Sequence, residues 1–430
     1  MSSTYIILTG VVVFLIAVLI PVAILIFVKK KLTPQGNVKI SINDERELEV
    51  KPGNSLLQTL ADEQIFLPSA CGGKGNCGMC KCQVLQGGGS ILPTEKEFFS
   101  RKEQLAHWRL GCQVKVREDL QIHINPQIFG IKKWECTVVS NRNVATFIKE
   151  FVVKLPVGER LDFLSGGYIQ IDVPKCDVKY SDIDVDAEYR PDWERYHMFD
   201  LVMHNPEPQF RAYSMASYPA EDNIIMLNVR IATPPLDKKN GGFMKVNPGV
   251  CSSYIYSLKP GDKVTISGPY GEFHIKDTQK EIIFIGGGAG MAPMRSHILD
   301  LFLTKHTQRK VSYWYGGRSL RELFYIDDFK KIEAENPNFK FNIALSSPLP
   351  EDNWTGYVGN IHEVLFENYL KNHPEPEEIE YYLCGPPMMT QAVLNMLDNL
   401  GVPKDSILFD DFGAQHSPLG AKFSPLKTAF

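Results

Sequence analysis

The sequence predicts a multidomain chain: one apolar N-terminal helix, a small β-rich module, an antiparallel β-barrel, and a closing α/β domain built on a parallel sheet. Three observations lead there. Tyr5–Val28 holds 24 residues without a charge, and five of the nine cysteines crowd between positions 71 and 112. From Glu281 onward, short turn-separated strands give way to apolar runs followed by glycines and helical periods. A chain of 430 residues exceeds one ordinary core. Its apolar and charged fractions, 44% and 22%, are those of a globular protein, and a net charge of -4 offers no basic surface for nucleic acid. The ten histidines show no metal-ligand spacing.

The first segment sets the compartment. At about 1.5 Å per residue, Tyr5–Val28 is long enough to cross a bilayer core of about 30 Å. A cleavable signal peptide is the rival, but Met1–Thr4 lacks positive charge and no small-x-small cleavage site follows. Pro21 is tolerable in a membrane helix. Lys29, Lys30 and Lys31 then place the remainder on the cytoplasmic side, where disulfides are disfavoured. The anchor has no ionisable residue, so any ion pumping falls to partner subunits. The expected divisions are an anchor at 1–31, a β-rich module at 32–129, a barrel at 130–278, an α/β domain at 279–413 and a tail at 414–430.

In the small module, Val38, Ile40 and Ile42 alternate with polar residues, and Leu48 and Val50 repeat the pattern. This predicts two half-buried strands around a turn. Asn54 or Ser55 can cap a helix carrying Leu56, Leu57 and Leu60. The run Cys71-Gly-Gly-Lys-Gly-Asn-Cys77-Gly-Met-Cys80, with Cys112 thirty-two positions later, is the strongest chemical signal. Three thiolates in a glycine-rich loop plus one from a distant strand suit a [2Fe–2S] cluster, with a first gap one residue longer than the plant-type spacing. Zinc is the alternative, yet zinc sites usually pair two C-x2-C knuckles and Cys112 has no such companion. Cys82 competes with Cys80 as a ligand, and the two-residue gap favours Cys80. Cys136, Cys176 and Cys251 read as small buried residues.

Barrel strands are expected at Cys136–Val139, Thr146–Val153, Tyr168–Val173, Ile224–Ile231 and Lys263–Ile266. An insertion rich in Asp, Tyr and Pro, Lys175 to about Gln209, interrupts them and reads as a surface excursion, either a docking surface or a solvated loop. Arg211-Ala-Tyr213-Ser214 fits a flavin nucleotide. Arg211 suits the pyrophosphate, Tyr213 stacks on the ring system and Ser214 hydrogen-bonds near N5. Arg230 joins these candidates. Gly249-Val250-Cys251-Ser252-Ser253 opens a helix whose free N–H groups and hydroxyls offer a second phosphate site.

In the last domain, strands are expected at Ile282–Ile285, Val311–Tyr315, Phe341–Leu345 and Tyr381–Leu383, with a helix around Met294–Leu303. Gly286-Gly287-Gly288-Ala289-Gly290-Met291-Ala292-Pro293 follows a buried strand and precedes that helix, the context a dinucleotide pyrophosphate needs. Cys384-Gly385-Pro386-Pro387-Met388 ends another apolar strand, and both loops belong at the carboxyl edge of the sheet. Arg318 could accept a 2′-phosphate, whereas Glu322 nearby would repel it.

Taken in order, Arg211-x-Tyr213-Ser214, the Gly249–Ser253 turn, Gly286–Pro293 and Cys384–Met388 resemble the ferredoxin–NADP reductase superfamily. With a ferredoxin module and a leading helix, residues 1–413 are similar to the F subunits of bacterial sodium-translocating NADH:quinone oxidoreductases. The resemblance implies a β-grasp ferredoxin domain with Cys71, Cys77, Cys80 and Cys112 on the cluster, and a barrel that binds FAD. It also implies NADH as donor, with Cys384 beside the nicotinamide. Partner membrane subunits and, indirectly, a quinone follow, at the cytoplasmic face of a bacterial inner membrane. Phe412, in the closing Asp410-Asp411-Phe412-Gly413, would lie against the flavin ring. Two other readings remain: the reductase of a multicomponent oxygenase, and a non-catalytic zinc-binding membrane adaptor.

Overall fold

In a computed structural model, the structure describes residues 3–32, 36–221, 223–236 and 242–410; within the first helix, side chains are described from Gly10 to Ile24. Phe412 and the tail lie outside these residues. The chain forms two compact units, one of residues 1–68 and 73–130, the other of 69–72 and 131–430.

The first helix runs Ser3–Leu32 with Pro21 inside it. Its described side chains are exposed, including Val11, Val13, Phe14, Leu15, Leu19 and Ile24. Among the described residues, no helix is long and apolar enough to cross a membrane.

The small module is a five-stranded sheet ordered Arg46–Val50, Val38–Ile42, Leu120–His123, Lys81–Gln86, Trp108–Leu110. Val38–Ile42 and Arg46–Val50 form the expected hairpin, turning on Asn43 and Asp44 at φ 53° and 58°. Short polar side chains of this kind tolerate left-handed backbone. Val38, Ile40 and Ile42 all point inward, as the alternation predicted. Ser55, rather than Asn54, caps Leu56–Asp62 by accepting from the Gln58 amide at 3.3 Å.

In the larger unit, six antiparallel strands follow the order Gln209–Ser214, Tyr168–Val173, Lys263–Tyr270, Lys132–Ala145, Ile148–Lys154, Ile224–Arg230. A bridge between Met215 and Leu227, and the Ala216 amide donating to the Met226 carbonyl at 2.7 Å, join the first strand to the last. Closure removes the edges that open sheets leave unpaired. Thr146 was expected to begin a strand. Instead it lies in a hairpin turn, where its carbonyl accepts from the Trp193 indole at 2.8 Å.

The insertion is no solvated excursion. Cys176–Lys179 pairs antiparallel with Val202–Asn205, and Arg190–Arg195 forms a short helix. Tyr180, Trp193, Met198 and Met203 are fully buried in the barrel's apolar core. Apolar residues spread through a polar segment hid this from inspection, because no regular period connects them.

The last domain is a six-stranded parallel sheet ordered Tyr357–Val358, Phe339–Leu345, Val311–Gly317, Ile282–Gly287, Glu380–Cys384, Ile407–Asp410. Cores lie on both faces, as expected when crossover helices cover a parallel sheet. The expected helix begins earlier, at Met291, and continues beyond Leu299 as a wider turn over Asp300–Thr304. Strand order reverses between Ile282–Gly287 and Glu380–Cys384, and that switch point is where open α/β sheets bind ligands.

Candidate functional site

At the switch point, Gly286 lies in register with Cys384, and Cys384 with Asp410. Three strand ends therefore meet along one carboxyl edge. Gly288 takes φ +56°, a left-handed conformation suited to glycine. Gly290 serves a different need: a Cβ there would lie 2.1 Å from the Cys384 carbonyl oxygen. Only glycine lets the two loops approach so closely. Beyond them, Met291–Leu299 is buried at every position. Gly385 and Pro386 continue the second loop, and Pro387 opens the helix Pro387–Asn399.

Ser214 reaches this edge from the barrel. It ends the strand Gln209–Ser214, paired to Tyr168, and its hydroxyl donates to the Asp410 carboxylate at 2.5 Å. Cys384 is fully buried and Ser214 nearly so. Arg295 ties the two domains here. Its guanidinium donates to the Ala216 carbonyl at 2.8 Å and to Glu221 at 2.7 and 2.9 Å. Asp410 and Arg295 were missed as site residues. An apolar run, Ile407-Leu-Phe, ending on an acid at a parallel strand's carboxyl end was the available signal for Asp410.

Arg211 and Tyr213 stand two apart on their strand and so share a face. The Arg211 guanidinium folds along its own strand, donating to the Phe210 carbonyl at 2.6 Å and to Gln209 Oε1 at 3.1 Å. Burial, and next the Cys251 thiol, push the Tyr213 phenol well above its ordinary pKa, which brings the Gly249–Ser252 turn beside this ring. That turn needs a correction. The Ser252 hydroxyl accepts from the Ala232 amide and donates to the Gly249 carbonyl, both at 3.1 Å. The Ser253 hydroxyl donates to the same carbonyl at 2.7 Å and meets Tyr180 at 2.8 Å. Both hydroxyls thus work inside the fold, at the start of the helix Val250–Ser257, which has no side-chain cap. Arg230 stands exposed at the end of its strand, opposite Ile148.

In the small unit, Cys80 and Cys112 are buried and Cys77 is half-buried. A hydrogen bond shared with Cys112, then burial, raises the Cys80 thiol pKa, with smaller repulsion from Cys112 and Cys77. Thiols that oppose each other's ionisation are suited to a cation, which deprotonates a coordinating thiol outright. Gly78, at φ +68°, lies where a Cβ would be 2.5 Å from the Phe98 ring, so the loop requires glycine between Cys77 and Cys80. Cys82 differs: it is fully buried, its thiol faces the Arg109 carbonyl at 3.9 Å, and burial lifts its pKa to about 12. Cys71, also buried, belongs to the segment 69–72 that groups with the larger unit. Among the described residues, no three His, Cys, Asp or Glu side chains are arranged to hold a metal ion. A [2Fe–2S] cluster asks for a different arrangement, two thiolates on each of two irons, and the Cys80–Cys112 pair fits one such half.

The fold and these sites define an iron–sulfur flavoprotein reductase with a dinucleotide domain. The 2Fe-2S iron-sulfur cluster binding domain matches residues 40–117, the oxidoreductase FAD-binding domain 195–275 and the oxidoreductase NAD-binding domain 284–395. Over 407 residues the chain is 56% identical to the F subunit of the Na(+)-translocating NADH-quinone reductase of Methylococcus capsulatus, covering 95% of this chain and 99% of that one. Identity to the corresponding chain of Neisseria gonorrhoeae is 54% over the same coverage; that of Pseudomonas aeruginosa is 54% identical over 91% of this chain and 95% of its own. The chain belongs to the family of F subunits of Na(+)-translocating NADH-quinone reductases. Among solved structures, the Amycolatopsis cytochrome P450 reductase GcoB superposes with a TM-score of 0.62 at 22% identity, covering 88% of this chain and all of that one. A ferredoxin reductase in carbazole 1,9a-dioxygenase gives 0.56 at 23%, covering 87% and 98%. At such identity these two establish the fold alone.

Proposed function

We propose that this chain is the electron-input component of a sodium-translocating NADH:quinone reductase, taking reducing equivalents from NADH and delivering them singly toward partner subunits and a quinone. The observation that carries this reading is the meeting of Gly286, Cys384 and Asp410 at one sheet edge with Ser214 of the barrel bonded to Asp410. FAD supplies two-electron acceptance and one-electron release, and a [2Fe–2S] cluster supplies single-electron transfer.

The residues divide the remaining work. The glycine loop Gly286–Gly290, with Gly287, Gly288 and Ala289 inside it, gives close backbone approach to the NADH pyrophosphate, and the following helix turns its N-terminus toward that charge. Cys384, Gly385 and Pro386 bound the nicotinamide side of the crevice. Ser214, oriented by Asp410, offers its hydroxyl to the reacting edge of the flavin. Arg211 and the turn of Gly249, Val250, Cys251 and Ser252 hold the flavin's phosphates, with Arg230 as a further positive group. Tyr213 packs on its rings, and Phe412, outside the described residues, is the further aromatic assigned to the flavin. Cys71, Cys77, Cys80 and Cys112 hold the cluster.

Membrane attachment belongs to residues 1–31. The support is an apolar helix whose described side chains are exposed on every face, the pattern of a lipid-embedded segment rather than an amphipathic one. Lys29–Lys31 then put the cofactor domains on the cytoplasmic side of a bacterial inner membrane. The test is visible absorption of the purified full chain under anaerobic conditions. Flavin and cluster bands that bleach on adding NADH support the proposal; a colourless protein, or bands indifferent to NADH, overturns it.

A further inference from the structure

The loop Arg318–Tyr325 leaves the carboxyl end of Val311–Gly317, the strand that follows the glycine loop and its helix. In doubly wound dinucleotide folds that position faces the adenosine ribose. Here the loop is held from the barrel side by the insertion and by one barrel hairpin. Arg321 Nη2 pairs with Asp192 at 3.0 Å and donates to the Glu188 carbonyl at 3.1 Å, while its guanidinium lies 5.5 Å from the centre of the Tyr189 ring. The Thr146 hydroxyl donates to Glu322 in the next position. Tyr325 closes the loop by donating to Glu150 at 2.7 Å and accepting from Asn228 at 2.8 Å.

The holding segments are themselves fixed. The Asn143 amide donates to Asp186 at 3.0 Å, and the Asp186 amide returns a bond to Asn143 Oδ1 at 3.2 Å. Trp193, one residue beyond Asp192, is fully buried and anchored to Thr146. A cleft of about 310 Å³ opens beside the seam, lined by Asn143, Asp186, Glu188, Tyr189 and Phe324 among others. Leu323 and Phe324 anchor the far end of the loop in the apolar core of the sheet, while the charged side chains of Arg321 and Glu322 are set by directional bonds across the seam.

We infer that the insertion is a strut for the dinucleotide site: Asp192, Glu188 and Tyr189 grip Arg321 and thereby set the loop that receives the adenosine half of NADH. They are positioning residues, since none of them touches the substrate in this assignment. The inference rests on the NADH-oxidising reading above. It also gives Arg321 and Glu322 a structural task. Arg318, exposed at the strand end, is then the loop's cation free to face the nucleotide.

The test uses the full-length, cofactor-loaded chain with NADH and a small artificial electron acceptor, and ADP-ribose as an inhibitor that presents the adenosine half alone. Asp192→Asn and Arg321→Ala should each raise the KM for NADH about fivefold and weaken ADP-ribose by the same factor. Neither should change kcat more than about twofold, and FAD content should hold. The double variant should be no worse than either single one. Thr146→Ala probes the same loop from the hairpin and should act in the same direction. An unchanged KM in all variants, or losses of kcat that track losses of bound FAD, would overturn the strut. A wild-type chain that does not oxidise NADH would instead sink the underlying function, so the two failures are separable.

Discussion

The Ser214 hydroxyl donates to the Asp410 carboxylate at 2.5 Å, joining the end of a barrel strand to the end of the last strand of the dinucleotide sheet. A bond of this length to an ionised acceptor is strong, and it uses the serine's proton while leaving its oxygen able to accept. In the proposed site, Asp410 thus orients the Ser214 hydroxyl for the reacting rings. Asp410→Ala should lower NADH-driven turnover with an artificial acceptor by roughly 10–100-fold, the value of a charged hydrogen bond. Ser214→Ala should lose as much, and the pair should be far from additive. Stopped-flow measurement of NADH oxidation decides it, and equal turnover in Asp410→Ala and wild type would refute the coupling.

Cys80 and Cys82 make opposite predictions. Cys80 shares a hydrogen bond with Cys112, whereas Cys82 is sealed beneath the Arg109 carbonyl. Cys80→Ser should lose the cluster, dropping iron from about two atoms per chain to near none. Cys82→Ala should keep it, at the cost of a small core cavity. Iron assay and the cluster's electron paramagnetic resonance signal report both.

Glu95 and Arg109 form a buried ion pair, with contacts between 2.9 and 3.2 Å. Further bonds surround the pair: Glu95 accepts from the Leu92 and Leu110 amides, and Arg109 donates to the Gly88 and Gly89 carbonyls. Removing one partner strands the other charge. Arg109→Met should destabilise the small module by about 3–5 kcal/mol, read as a lower unfolding midpoint and earlier loss of iron. Glu95→Gln combined with Arg109→Met should recover part of that loss.

His297 predicts an acid sensitivity. Burial first, and then the positive charges of His274 and Lys305, depress its pKa from 6.5 to about 3. In the unfolded chain it binds a proton below pH 6.5, while in the folded chain it stays neutral down to about 3. The unfolded state therefore holds more protons across that window, and stability falls as pH drops through it, by at most about 1.4 kcal/mol per pH unit. His297→Leu should flatten this contribution. Denaturant unfolding at about pH 7.5 and about pH 5, either side of the ordinary histidine pKa, measures it, and identical pH slopes in both proteins would remove His297 from the account.

Much of the architecture was written locally. The alternation at Val38–Ile42, the continuous apolar run Ile282–Ile285 and the glycines after it are governed by one face or one strand, so their pattern survives in a single sequence. Strand Tyr168–Val173 was placed to the residue for the same reason. Other features depended on distant partners. Thr146 became a turn because Trp193, 47 positions away, takes its carbonyl. The hydroxyls of Ser252 and Ser253 looked available for phosphate until Ala232, Gly249 and Tyr180 claimed them.

By itself the sequence determined the chemistry in store: clustered thiols with a ferredoxin-like spacing, an Arg-x-Tyr-Ser strand, and two loops fit for a dinucleotide. Spacing and residue type suffice for that, because each motif is a contiguous stretch whose backbone shape follows from its own glycines and caps. Tertiary structure alone decided which of those groups act together. It placed Asp410 on Ser214 across 196 positions, turned the insertion inward through Trp193, and set Arg321 against Asp192. Hydrogen bonds and burial between remote segments leave no periodic trace along the chain, so only folding brings them into view.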